Sequence, residues 1–290
     1  MKNINSQLLS GYIELSKPRI LTLILVTTAL GFFLGGKGIH DWVLLATTLL
    51  GAAFVCAGAS ALNHYLERDV DCRMARTRNR PIPSGLISPP NALSYGILTI
   101  LGGVVLLACR VNLLTAFLSL LTAFLYVLVY TPMKKISWLN TSIGAIPGAI
   151  PPMGGWAAAS GNLDWGAWIL FGILFLWQHP HFYAIAWMFK DDYREAGFKM
   201  LPVVYPDGMS TFRQINIFSL VLIPVSLLPT VIGMSGKIYF FGALILGVIL
   251  WGIGRSLSRY RSFQAARQLL QASVAYLPLL LFLIILDVSF

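Results

Sequence analysis

Three oxygen-bearing side chains stand four residues apart in the stretch Asn63-His64-Tyr65-Leu66-Glu67-Arg68-Asp69-Val70-Asp71. If the apolar run before them continues as a helix, Asn63, Glu67 and Asp71 fall at i, i+4 and i+8. Four residues turn a helix by about 400° and advance it about 6 Å, so the three form a ladder on one face. Amide and carboxylate oxygens are hard ligands, and Mg²⁺ takes one or two of them while keeping waters and phosphate oxygens. The spacing therefore suits a magnesium diphosphate. The competing reading is an interfacial helix end whose acids pair with neighbouring arginines. A second polar block, Lys190-Asp191-Asp192-Tyr193-Arg194-Glu195, follows far along the chain, with Lys199, Pro202, Pro206 and Gly208 behind it. Acids brought together from both blocks repel unless cations lie between them. Arg73, Arg76, Arg78, Arg80, Lys134, Lys135, Lys190, Arg194 and Lys199 surround these acids in the chain, and guanidinium groups match phosphate oxygens well. Together the basic residues favour an anion.

The elements that must position these groups are membrane helices. Of 290 residues, 57% are apolar and 11% charged, with a mean hydropathy of +0.75. That excludes an ordinary cytosolic enzyme. The apolar residues fall in blocks long enough for a hydrocarbon core, and nine spans are expected: 20–36, 42–61, 92–109, 113–130, 139–159, 165–189, 215–233, 238–254 and 269–286. The chain reads as one all-α polytopic domain over 1–290. Of 21 Lys and Arg, all but Lys37, Arg110 and Lys237 collect on one side of such a topology. Basic residues mark the cytoplasmic face, so the N-terminus is expected inside and the C-terminus outside. The net charge of +10 thus reports topology rather than nucleic-acid binding. No removable signal peptide is expected, and Cys56, Cys72 and Cys109 lack paired spacing and read as packing residues.

Both polar blocks fall on the inner face, each after the second helix of a four-helix run, so spans 1–4 and 5–8 are expected to form a parallel repeat with one helix added. Repeat interfaces commonly hold intramembrane substrate sites. Span 5 carries Gly144, Pro147, Gly148, Pro151, Pro152, Gly154 and Gly155, which predicts interrupted backbone hydrogen bonding and a bent helix beside an interior cavity. Span 6 carries Trp177, Gln178, His179, Pro180, His181, Phe182, Tyr183 and Trp187. Intramembrane histidines are costly unless they function or face the bundle. At i and i+2 the two point to different faces, which argues against a shared metal.

Five segments together carry a resemblance: Asn63-x-x-x-Glu67-x-x-x-Asp71; Arg76-Thr77-Arg78-Asn79-Arg80-Pro81; Tyr130-Thr131-Pro132-Met133-Lys134; Trp177-Gln178-His179-Pro180-His181-Phe182; and Asp192-Tyr193 followed by Met200-Leu201-Pro202-Val203-Val204. The chain resembles the UbiA superfamily of intramembrane prenyltransferases, and the last two segments resemble its haem branch. The resemblance implies nine helices around a central cavity and transfer of a farnesyl group from farnesyl diphosphate to a vinyl group of haem B, giving haem O. It implies Mg²⁺ as cofactor, with haem B as substrate, in a bacterial inner membrane, and a haem-receiving terminal oxidase or haem A synthase downstream. It places a first magnesium on Asn63, Glu67 and Asp71, and a second on candidates Asp191, Asp192 and Glu195. Arg73, Arg76, Arg80, Lys134, Lys190, Arg194 and Lys199 would hold diphosphate. His181 would contact haem, as axial ligand or propionate partner, with His64 as a second candidate. The chain departs from the family at the second acidic motif: the carboxylate expected four residues on falls at Ala196 if Asp192 begins it, or at Glu195 if Asp191 does. Two other functions stay open at this point, prenylation of a quinone or chlorophyll precursor and membrane transport.

Overall fold

A computed structural model of the chain describes residues 4–74 and 77–289, and its regular elements are helices apart from one isolated bridge between Ser235 and Val288. The chain divides into two compact units, 1–133 with 150–163, and 134–149 with 164–290.

In the first unit, α1 (Ile4–Leu15), α2 (Pro18–Gly35), α3 (Trp42–Asp71), α4 (Pro89–Arg110) and α5 (Leu113–Phe124) are followed by a π-helical segment, Leu125–Tyr130, and α6 (Thr131–Ile136). Helix starts are written into the sequence. Asp41 accepts from the Leu44 amide at 2.9 Å, and Asn112 accepts from Thr115 at 2.8 Å, each satisfying an amide that the first turn leaves open. The 30 residues of α3 give about 45 Å of helix, against a hydrocarbon core of about 30 Å. The helix is therefore longer than the core requires, and its last turns carry the polar ladder. The loop after α3 folds back because Ile82 and Ile87 bury against Leu15 of α1 and Ala61 of α3. Sequence reading missed α1, whose 12 residues are too few and too polar to span.

The segment expected at 139–159 is α7 (Asn140–Ser160), whose first half lies in the second unit and second half in the first. The interruption expected from its prolines is absent: the helix runs unbroken from 140 to 160. Each proline removes one donor, and burial among other helices tolerates that loss. Residues 150–158 are all buried. Close backbone approach explains the glycines here, since a Cβ on Gly155 would strike the Thr28 carbonyl of α2, and one on Gly31 would strike that of Pro152. Small residues admit such contact between membrane helices. Gly155→Ala is accordingly expected to destabilise the protein by at least about 2 kcal/mol, the scale of core overpacking, read as a lowered thermal midpoint in detergent; an unchanged midpoint would contradict this packing.

The second unit continues with α8 (Trp165–Met188), two short helices α9 (Lys190–Glu195) and α10 (Leu201–Val204), then α11 (Met209–Val231), α12 (Lys237–Tyr260) and α13 (Phe263–Leu286). Among the described residues, eight helical runs are long and apolar enough to cross a membrane: α2, α3, α4, Leu113–Ile136, α8, α11, α12 and α13. The ninth expected span, α7, is long enough but less apolar, because glycine and proline replace the aliphatic side chains that lipid contact would require. The protein is thus a multi-pass all-helical membrane protein.

Candidate functional site

The α3 ladder is buried, which separates it from a plain interfacial helix end. Asn63 and Asp71 are 0% exposed and Glu67 is 6% exposed. Asn63 is held at both ends of its amide: Oδ1 accepts from Lys17 Nζ at 2.6 Å, and Nδ2 donates to Thr131 Oγ1 at 3.0 Å. Lys17 Nζ also donates to the Tyr126 hydroxyl at 3.1 Å. Two backbone irregularities build this arrangement. Lys17 adopts a left-handed conformation, φ 50°, immediately before Pro18 opens α2, a conformation rare for a residue with a Cβ and often found where function requires it. The π-helical segment leaves the Tyr126 carbonyl to accept both the Thr131 amide and its hydroxyl, the latter at 2.8 Å, and inserts of this kind often mark functional sites.

Asp71 closes the ladder against Arg80, whose Nη1 lies 2.8 Å from both carboxylate oxygens. The arginine pairing expected of an interfacial end is therefore present, but on a carboxylate withdrawn from solvent. Thr77 Oγ1 donates to the Asp71 carbonyl at 3.0 Å and pins the turn between them. Arg73 is exposed just beyond α3. Arg76 lies outside the described residues. His64 is buried beside the ladder. Among the described residues no three His, Cys, Asp or Glu converge as a metal cage. Magnesium does not need one. Two buried carboxylates and an amide oxygen at one helix turn's spacing suit an ion that keeps water and phosphate ligands.

The second acidic block is different in kind. No residue of α9 is buried, and the Asp191 carboxylate accepts from Arg194 Nη1 at 2.7 Å. Asp192 is half-buried and Glu195 exposed. Lys190 Nζ sits 4.6 Å above the Trp187 ring. Lys134 lies over Phe198, and its carbonyl accepts from the Lys199 amide at 2.7 Å, while the Lys199 side chain is exposed. Asn140 Nδ2 joins this turn by donating to the Ser137 and Lys199 carbonyls at 2.7 and 3.0 Å.

The two histidines of α8 do point apart. His179 is 0% exposed. Its Nδ1 lies 2.8 Å from the Phe175 carbonyl and its Nε2 3.0 Å from Ser142 Oγ, with the ring stacked on Phe218 at 3.5 Å. Both nitrogens are occupied, so His179 is a packed structural residue. His181 faces α13, where Nδ1 lies 2.9 Å from Ser273 Oγ and the ring stacks on Trp177 at 5.2 Å. Lys17, Tyr126 and Thr131 touch the ladder or its partners, and Ser273 touches His181; sequence reasoning gave none of them a role, although Thr131 lies in one of the segments that carry the resemblance and Lys17 is a charge at the mouth of the first span.

The helices bury a ladder of oxygen-bearing side chains whose two ends are held by Lys17 and Arg80. Residues 24–283 match the UbiA prenyltransferase family, and the chain belongs to that family. Among its relatives, the protoheme IX farnesyltransferase of Solibacter usitatus is 47% identical over 95% of this chain and 98% of that protein. The protoheme IX farnesyltransferase of Koribacter versatilis is 44% identical over 97% and 94%. The same fold appears in a digeranylgeranylglyceryl phosphate synthase, with TM-score 0.83 at 18% identity over 97% of this chain and 98% of that one. It appears again in a UbiA homologue of Archaeoglobus fulgidus bound to DMAPP and Mg²⁺, with TM-score 0.74 at 17% identity over 94% and 99%.

Proposed function

We propose that the protein transfers the farnesyl group of farnesyl diphosphate to a vinyl group of haem B, with addition of water, giving haem O and diphosphate. The observation that carries this reading is the buried Asn63, Glu67 and Asp71 ladder with its cations, in a chain whose near full-length relatives are named protoheme IX farnesyltransferases. In the reaction the C1–O bond of the allylic diphosphate breaks and its electron pair leaves with diphosphate. The vinyl π electrons then form a bond to C1. Water captures the cation left on the vinyl carbon and releases a proton, so no redox step is needed.

The hard step is charge separation at low dielectric, and fixed cations stabilise the departing anion. Lys17 and Arg80, which stand on ladder oxygens in the free protein, would turn to phosphate oxygens when the diphosphate arrives. Asn63, Glu67 and Asp71 would hold magnesium, which when bound supplies Lewis-acid neutralisation of the leaving group. In the second block Asp191, Asp192 and Glu195 are the carboxylates that would hold a second ion, Asp191 exchanging its exposed contact with Arg194 for the metal. Arg73, Arg76, Lys134, Lys190, Arg194 and Lys199 would serve as further phosphate contacts. His181 would contact haem, in preference to the buried His64. The distribution of basic residues supports a cytoplasmic N-terminus and an outer C-terminus, in a bacterial inner membrane. Haem O, anchored by its new tail, would pass within the same bilayer to a terminal oxidase or haem A synthase. Residues 1–290 would serve this reaction as one domain.

The test is to incubate purified protein with haem B, farnesyl diphosphate and Mg²⁺ and to weigh the porphyrin. A gain of one farnesyl group plus one hydroxyl group is expected. An unchanged porphyrin, together with prenylation of a quinone precursor offered in parallel, would move the protein to another branch of the family.

A further inference from the structure

We infer that Ser273, on α13, sets the tautomer of His181 and thereby presents a bare imidazole nitrogen, Nε2, to haem iron. The inference rests on the reading of His181 as a haem contact and adds the residue that prepares it.

Hydrogen counting leads to this. The Ser273 hydroxyl has one hydrogen, and it is donated to the Leu270 carbonyl at 2.7 Å. Toward His181 Nδ1, 2.9 Å away, the oxygen is therefore an acceptor, and Nδ1 carries the hydrogen. A neutral ring protonated there keeps the lone pair of Nε2 free. Nε2 has no hydrogen-bond partner among the described residues. The carbonyl of the same serine is also used, since Trp177 Nε1 donates to it at 2.7 Å while the Trp177 ring stacks on the imidazole with 25° between planes. One buried residue thus fixes both the protonation and the plane of the His181 ring.

His179, two residues earlier on the same helix, shows what a purely structural histidine does there: it satisfies both nitrogens, through Phe175 and Ser142. His181 satisfies one and leaves the other open. Histidine ligands to metals are ordered in the second way, because the bond at the far nitrogen selects the tautomer and raises the basicity of the ligating one. Ser273 lies 92 residues from His181 in sequence and outside every motif that carries the family resemblance. It is a positioning residue, acting through His181.

The experiment uses full-length protein in detergent, titrated with haem B and no farnesyl diphosphate. Ferrous resonance Raman spectra read the iron–histidine stretch, which reports the hydrogen bond at Nδ1. Ser273→Ala is expected to lower the stretch frequency and weaken haem binding about tenfold, the usual scale for losing such a partner; Ser273→Thr, which keeps the hydroxyl, should preserve the wild-type stretch. His181→Ala should lose the band, and added imidazole should restore one. A Ser273→Ala protein with wild-type stretch and affinity, beside a His181→Ala protein that has lost the band, overturns this inference alone. A His181→Ala protein that keeps the wild-type band overturns the haem reading of His181, and this inference with it.

Discussion

Replacing Asp71 with asparagine is expected to lower farnesyl transfer by at least about a thousandfold, or ~4 kcal/mol of transition-state stabilisation, while haem B binding stays within a factor of a few. Asparagine keeps the shape of the side chain and removes its charge. The fold should tolerate the change, because the partner left behind, Arg80, has a side chain 22% exposed and can reach water; a fully buried orphan charge would cost more. The chemistry should not tolerate it. Asp71 is withdrawn from solvent at the end of the ladder, so its charge acts at low dielectric on whatever cation lies against the diphosphate. Asp69 supplies the control. It belongs to the same helix turn, but its side chain is 75% exposed and sits 3.7 Å from Arg68, a surface pair of small energetic weight. Asp69→Asn should retain near wild-type turnover. Chromatographic measurement of haem O, with haem titration run alongside, separates the two variants, and full activity in Asp71→Asn would remove the ladder from the mechanism.

The contrast between these two aspartates shows what the sequence could disclose. The i, i+4, i+8 spacing locates the ladder because α3 does continue as one helix to Asp71, and helical periodicity is a local property. Burial of that face is not local. It depends on the loop containing Ile82 and Ile87 folding back onto Leu15 of α1, an element too short to register as a span. Lys17 could be read only as a topological charge, since its place at Asn63 requires a left-handed residue. Ser273 was invisible because its role consists of two hydrogen bonds to a helix about ninety residues away. In the second block the sequence shows three acids and two bases, and the pairing of Asp191 with Arg194 depends on side-chain conformations that spacing alone does not set. The prolines of α7 predict breaks, although a helix whose second half is buried keeps its course with a few donors missing.

Removing divalent metal is expected to stop turnover entirely and reversibly. The free protein already sets a fixed cation on each end of the ladder, Lys17 on Asn63 and Arg80 on Asp71, which raises the question of whether those two charges alone could serve a diphosphate. A diphosphate near pH 7 carries more negative charge than two single cations offset. In a low-dielectric site such an imbalance would oppose binding before any bond broke. A divalent ion corrects it, and the oxygen-only donor set selects a hard one. Excess EDTA should therefore abolish haem O formation, and Mg²⁺ should restore it. Ca²⁺ should restore far less, since its larger radius and looser coordination fit poorly between two carboxylates and phosphate oxygens. Ser273→Ala should leave this metal requirement unchanged, because it acts on haem and not on the leaving group. Undiminished turnover in EDTA would mean that Lys17, Arg80 and the remaining basic residues neutralise the diphosphate unaided, and would leave the buried carboxylates of α3 without a chemical role.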